Sequence, residues 1–260
     1  MSDELVKAWT EGQVSHVSLN RPEKHNAKNL ALSDQLHVAV QAADADDATR
    51  VIVISGQGPS FSSGHDVKEV DSSPEVAALY ATPEARLATE REHYFDKSLA
   101  IRNTRKPTIA QVHGHCLAAG LMTVAMCDLV VASDDARFGM PVLARAAAAG
   151  EILFEPWEIG ARRAKELLFT GDTIDAETAE RWGLVNRVVP RERLEDEVAA
   201  LAERIIAQPP VSVELTKQSI NRSLEAMGQL TAWEDHFIRH VFSHFTEEAW
   251  DHRRQRQADR

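Results

Sequence analysis

Two short segments carry residue types that could do chemistry through their backbone: Phe61-Ser62-Ser63-Gly64-His65-Asp66 and Gly114-His115-Cys116-Leu117-Ala118-Ala119-Gly120. Each runs from a strand end through small residues into a helix start, where the first N–H groups have no intrahelical partner. The helix dipole adds partial positive charge at the same place. Two such turns brought together make an oxyanion hole, a pair of fixed donors aimed at a carbonyl oxygen that becomes negative during reaction. A long stretch of chain separates the two turns, so a tertiary frame must bring them together.

That frame is legible in the apolar pattern. Val14–Leu19 alternates as a half-buried strand and is ended by Asn20-Arg21-Pro22. Residues 29–43 show helical periodicity through Leu32, Leu36, Val40 and Ala43. Val51-Ile52-Val53-Ile54 is a continuous β-branched run, as in a strand covered on both faces. Thr108–Val112 and Leu129-Val130-Val131 read the same way, with a buried helix over 119–126 between them. Strand, helix, strand at this spacing predicts parallel pairing with right-handed crossovers and an α/β architecture.

Residues 71–92 contain Ser-Ser-Pro and Thr-Pro and are rich in Ala, Glu and Arg. They read as a surface excursion that turns helical towards 87–99, and such segments often cover sites. From Arg162 the pattern is mostly helical, with stops at Gly171 and Gly183 and a short strand over 184–189. Long helices are expected over 194–207, 211–224 and 230–245, the first two separated by Pro209-Pro210. The basic tail His252-Arg253-Arg254-Gln255-Arg256 reads as solvated.

Composition narrows the function classes. A chain of 260 residues is long enough for one large domain with an ample core. Its net charge of −11, from 29 basic and 40 acidic residues, argues against a nucleic-acid or anionic-membrane partner. Cys116 and Cys127, both in apolar surroundings, read as buried thiols in a reducing compartment. The acidic start Met1-Ser2-Asp3-Glu4 lacks a signal peptide's apolar core, and the apolar run from Leu121 stops at Asp128, too short for a membrane span. A cytoplasmic protein is expected.

Further markers follow the first two segments in order. They are Leu19-Asn20-Arg21-Pro22-Glu23-Lys24-His25-Asn26-Ala27, the extension of the first segment through Val67-Lys68-Glu69, and Lys106-Pro107-Thr108-Ile109-Ala110-Gln111-Val112-His113-Gly114. Cys127-Asp128-Leu129-Val130, Ala136-Arg137-Phe138-Gly139-Met140-Pro141 and Phe169-Thr170-Gly171-Asp172 complete them. With these the chain resembles the enoyl-CoA hydratase/isomerase, or crotonase, family over nearly its full length. The resemblance implies a spiral of β-β-α units over 1–190 and a helical region over 191–260 that joins subunits into a homotrimer or hexamer. It also implies an acyl-CoA thioester as ligand, with coenzyme A entering as part of the substrate and no metal or separate cofactor. Carried over position by position, the oxyanion-hole donors are the N–H groups of His65 and Ala119. Lys24, Ala27, Ser63 and Asp66 fall along coenzyme A, with Lys24 meeting its phosphates.

Hydratases of this family use two glutamates, one a turn into the helix after the oxyanion hole and one after Phe-Gly-x-Pro. Here those positions hold Met122 and Val142. Adding water across a conjugated double bond needs a base and an acid, and neither side chain can move a proton. The remaining candidate is Glu151, the one carboxylate between Asp135 and Glu155, flanked by Ala-Gly and Ile-Leu-Phe. Apolar company raises a carboxyl pKa and suits a proton shuttle. The competing reading has Glu151 opening a helix and paired with Arg145 or Arg162.

Of His65 the family role needs only the main chain. Glu155 and Glu158 are expected to face solvent or a subunit contact. His236, His240 and His244 recur at i, i+4, i+8 and read as helix-face packing rather than as metal ligands. Moving a double bond needs a single well-placed carboxylate, so the expected activity is isomerase-like rather than two-glutamate hydration. The alternative is an acyl-CoA-binding protein without catalysis.

Overall fold

The β-branched run expected to be covered on both faces forms β3 (Val51–Gly56), in which every residue is buried. It lies inside a six-stranded sheet of order β1-β2-β3-β4-β6-β9. The computed structural model describes residues 4–67 and 73–258; the marker residues Lys68 and Glu69 and the start of the surface excursion lie outside them. β1 (Val6–Glu11) and β2 (Val14–Leu19) form an antiparallel hairpin that turns at Gly12, whose φ of 57° suits glycine. β4 (Thr108–Val112), β6 (Leu129–Ser133) and β9 (Arg187–Val189) join in parallel. The strand period of two divides the run between two cores. Val51 and Val53 meet Ile109, Val131 and the C-terminal Leu194, Val198 and Leu201, while Ile52 and Ile54 join the larger core with Leu32, Leu36, Phe95 and Leu121.

A second layer repeats the first in miniature. β5 (His115–Leu117) pairs in parallel with β7 (Arg137–Gly139), which pairs antiparallel with β8 (Thr173–Asp175). Ser62 bridges Cys116, and Lys28 bridges His65, both in parallel. The chain therefore visits the large sheet, then the small one, then a helix, and repeats: β4, β5 and the helix Ala119–Ala125, then β6 and β7. This is the β-β-α spiral, and it aligns the segments at 28, 62–65 and 115–119 at one level of the molecule.

Among the helices, α1 (Leu30–Ala45) is capped by Asn29, whose Oδ1 accepts the Leu32 N–H at 2.9 Å. The excursion is more helical than its sequence suggests. Ser73 and Thr82 cap α2 (Pro74–Ala78) and α3 (Pro83–Glu90), each with proline at the first position. A single π turn, Arg91–Phe95, then leads into α4 (Asp96–Arg102). After α5 (Ala119–Ala125) come α6 (Glu155–Glu158), α7 (Ala161–Thr170) and α8 (Ala176–Trp182).

Four helices close the chain: α9 (Leu194–Ile206), α10 (Pro210–Ala226), α11 (Gln229–Ser243) and α12 (Glu247–Ala258). α9 covers the outer face of the large sheet. α10 is tied to the sheet by buried Lys217, which donates to Thr104 Oγ1 at 2.8 Å and Asp128 Oδ2 at 2.7 Å. α12 carries the basic tail, in which Arg254 and Gln255 are exposed while His252 and Arg253 are half-buried. It is helical, and Arg253 lies over the Trp250 ring at 4.8 Å and donates to the His244 carbonyl. The sequence reading missed it because few apolar residues mark its face.

Candidate active site

The first turn is built on Asn26. This residue sits in the left-handed region (φ 51°), which asparagine tolerates. It is fully buried; its Oδ1 accepts from Arg21 N–H at 2.8 Å, and its Nδ2 donates to the carbonyls of Gln57 and Ser60. The loop so fixed feeds Lys28 into its bridge with His65. Lys28 N–H donates to Gly64 O at 2.7 Å and Asp66 N–H donates to Lys28 O at 2.9 Å. These bonds flank His65 and leave its own N–H without a partner among the described residues.

The second turn ends at α5. Ala118 adopts φ 47°, ψ −119° as its N-cap, a conformation costly for alanine, and its N–H is held by Gly139 O at 2.9 Å. Ala119 then opens the helix with its N–H unpaired among the described residues. The turns touch directly. A Cβ placed on Gly64 (φ 96°) would stand 2.8 Å from Ala118 Cβ and 3.5 Å from Ala119 N, and one on Gly120 would stand 2.7 Å from Ser62 Cβ. Glycine at both positions is what lets the two N–H groups approach.

Lys24, Ala27, Ser63 and Asp66 also come together. The Arg21 guanidinium donates to Ala27 O at 2.7 Å and pairs with Asp66 at 3.0 Å, and Ser63 N–H donates to His25 O. Lys24 is exposed at the end of the 3-10 turn Pro22–Lys24. The missing carboxylates are replaced by inert surroundings: Met122 lies in the core and Val142 is partly buried against it.

Glu151 reaches the same place from another direction. It neither opens a helix nor pairs with Arg162; its Oε1 lies 2.8 Å from His65 Nε2, and its side chain is 4% exposed. The approach is close but off the N–H direction, and His65 Nδ1 is buried without a hydrogen-bond partner among the described residues. The His65 ring packs against Tyr94 at 4.2 Å, and Tyr94 shares a hydroxyl contact of 3.0 Å with Tyr80. Tyr80 of the excursion thus reaches His65 through Tyr94. Burial pushes the Glu151 pKa up, but His65 and then His240 outweigh it and hold the carboxyl well below the usual range. Apolar neighbours in the sequence predicted the opposite direction. The difference comes from histidines that only the fold brings near.

The histidines of α11 hold the Glu151 loop. His236 Nε2 meets Gly150 O at 2.9 Å and His240 Nδ1 meets Ala149 O at 2.6 Å. His240 Nε2 lies 3.4 Å from Glu90 Oε2, and Arg86 pairs with Glu90 at 2.6 Å. Glu90, His240 and His244 offer three donor atoms within 4.8 Å of one another. Glu90 is already paired with Arg86, and burial and then the Arg86 charge lower the His244 pKa.

Two features were invisible in the sequence. Lys28 is buried, with its ammonium 2.7 Å from Thr123 Oγ1. Glu155, expected at the surface, is 1% exposed, and neither carboxylate oxygen has a hydrogen-bond partner among the described residues. Burial raises its pKa to about 8. The alternation Glu-Pro-Trp-Glu reads as amphipathic, and no local signal tells which glutamate turns inward.

Backbone N–H groups on two touching turns thus lie beside a buried carboxylate. The enoyl-CoA hydratase/isomerase family profile matches residues 10–254, and the chain belongs to that family. A crystal structure described as a probable enoyl-CoA hydratase from Mycobacterium smegmatis superposes with a TM-score of 0.86 at 37% identity, covering 92% of this chain and 94% of that one. A "Probable enoyl-CoA hydratase" of Rhizobium meliloti is 36% identical over 229 residues, 86% of this chain and 84% of the relative. The mevalonyl-coenzyme A hydratase sidH of Aspergillus fumigatus is 36% identical over 211 residues, 80% and 75% of the two chains. Among the described residues no helix is long and apolar enough to cross a membrane.

Proposed function

We propose that this protein binds an acyl-CoA thioester, holds its carbonyl oxygen with the N–H groups of His65 and Ala119, and uses Glu151 to move a proton between carbons of the acyl group. The observation that carries the reading is the Glu151 carboxylate beside His65, at the level of the two free N–H groups. An ionised carboxylate in a dry site is a base for a carbon acid. It takes a proton from one carbon of an enoyl thioester, the electron pair moves onto the thioester oxygen as an enolate, and the proton returns to another carbon. Removing one oxyanion donor typically costs about 2.7–4 kcal/mol, so the pair supplies a large part of the stabilisation. Lys24, Ala27, Ser63 and Asp66 would lie along coenzyme A, outside the reacting centre.

Double-bond movement fits Met122 and Val142 better than hydration does, because one carboxylate suffices. The same two residues favour a second reading, an acyl-CoA-binding protein without catalysis. Incubating the protein with crotonyl-CoA in D₂O separates them: deuterium at the α or γ carbon supports the first, and tight binding with no exchange supports the second. No binding of any CoA ester would refute both.

The helical region 191–260 is proposed to join subunits into a trimer or a hexamer of two trimers. Val211, Leu215, Ile220, Ile238 and Phe242 are exposed on α10 and α11, more apolar surface than single scattered residues would give. Light scattering is expected to return three or six times the 28.8 kDa chain mass, and a monomer at micromolar concentration would count against it.

A further inference from the structure

Lysine is almost never fully buried unless paired, yet Lys28 is 4% exposed. Its partners explain why it is tolerated and what it does. Bridged residues on neighbouring strands project to the same side of a sheet, so the Lys28 and His65 side chains leave the backbone on one face. His65 reaches Glu151, and the Glu151 charge also acts on the Lys28 ammonium. Lys28 Nζ donates to Thr123 Oγ1 at 2.7 Å, and that hydroxyl donates to Ala119 O at 2.9 Å. The two free N–H groups therefore hang on one residue. The Lys28 main chain fixes the His65 segment through its bonds to Gly64 and Asp66, and its side chain fixes the first turn of α5 through Thr123.

We propose that Lys28 is a positioning residue of this site, setting the Ala119 turn through Thr123 and supplying a fixed cation to the Glu151 carboxylate. This rests on the reading of Glu151 as the proton-moving group. Among the described residues, the charged and titratable groups facing Lys28 are Glu151 on its loop and His65 across the bridge, and α5 contributes the neutral Thr123. Burial outweighs the Glu151 charge and lowers the Lys28 pKa to about 8, so its cation is present at neutral pH and lost on the alkaline side.

The test compares Lys28→Met, Lys28→Arg and Thr123→Val in the full chain. With crotonyl-CoA in D₂O, Lys28→Met is expected to slow exchange by about 10–100-fold, as misplacement of a catalytic group does, with CoA-ester affinity little changed. Its acid limb should move to higher pH because Glu151 has lost a cation, and Lys28→Arg should restore part of the rate. Thr123→Val should lower the rate without moving the acid limb, since it keeps the charge and cuts only the link to Ala119. A Lys28→Met protein that melts at a different temperature but keeps the wild-type rate and pH profile overturns the proposal.

The ¹³Cδ shift of Glu151, titrated in wild type and Lys28→Met without substrate, does not depend on activity. A higher midpoint in the variant supports the cation role even if wild type shows no exchange, and equal midpoints refute it. Should Lys28→Met fail to fold, Thr123→Val and Lys28→Arg decide. A wild-type rate in Thr123→Val, or a Glu151 midpoint that rises in Lys28→Arg although the cation is kept, rejects it.

Discussion

Glu151→Gln is expected to lower the rate of deuterium incorporation into an enoyl-CoA by about 10²–10⁴-fold, the usual contribution of a positioned proton-transfer group. Affinity for the ester should stay within a few-fold, because the amide keeps the shape and the backbone donors are untouched. The pH profile carries a second, sharper expectation. Glu151 has its folded pKa depressed, chiefly by His65 against the opposing effect of burial. If Glu151 is the proposed base, its ionised form is present through neutral and mildly acidic pH, and the rate should fall only as pH drops below the ordinary carboxylate range of about 4. In His65→Phe one of the depressing charges is gone while burial remains, so the acid limb should move upward. A Glu151→Gln enzyme with the wild-type exchange rate would sink the assignment, and an unmoved limb in His65→Phe would sink its electrostatic basis.

The second large effect concerns stability. Glu155 is buried with neither oxygen hydrogen-bonded among the described residues, and burial raises its pKa to about 8. Linkage sets the sign: below the unfolded carboxylate pKa both states are protonated and the group costs nothing through ionisation. As pH rises towards the folded pKa the unfolded chain releases its proton first, so stability is lost progressively and the loss levels off near pH 8. Each tenfold difference in proton affinity between the two states is worth about 1.36 kcal/mol, so the accumulated penalty is on the order of 3–5 kcal/mol. Glu155→Gln should therefore be close to neutral at about pH 4–5 and stabilising by several kcal/mol at about pH 8–9. Urea unfolding at both pH values measures it, and an equal difference at both would show that Glu155 finds a partner or stays exposed in solution.

Strands and helices of the core were legible because their burial is written in local periodicity. The Val51 to Ile54 run and the Leu32, Leu36, Val40 stripe each carry their own signal. The two turns proposed as an oxyanion hole were legible for a related reason. A backbone donor depends on small residues and a helix start, and Gly64 and Gly120 mark both. The first helices of the excursion, capped at Ser73 and Thr82, were not legible because little apolar periodicity marks them, and α12 likewise has few apolar residues to set a face.

Side-chain chemistry behaved differently. Glu151 could be named as the available carboxylate, but its partner could not, because His65 and Glu151 are brought together by layers far apart in the chain. The same holds for Lys28 and Thr123, and for Glu90 and His240. A pKa depends on the sum of burial and nearby charge, and the second contribution is wholly tertiary. Glu155 shows this in reverse, as a charged residue in a polar-looking stretch that the packing of α6 turns inward.

The sequence by itself determined the family, the α/β spiral, and the two N–H donors proposed at His65 and Ala119, because each of these rests on ordered local motifs and backbone geometry. Only the tertiary structure decided that Glu151 stands beside His65 as an ionised carboxylate, that Lys28 links both donor turns, and that Glu155 is buried. Those facts are sums over contacts between distant segments, and electrostatics in a dry interior depends on which charges meet rather than on which residues are neighbours in the chain.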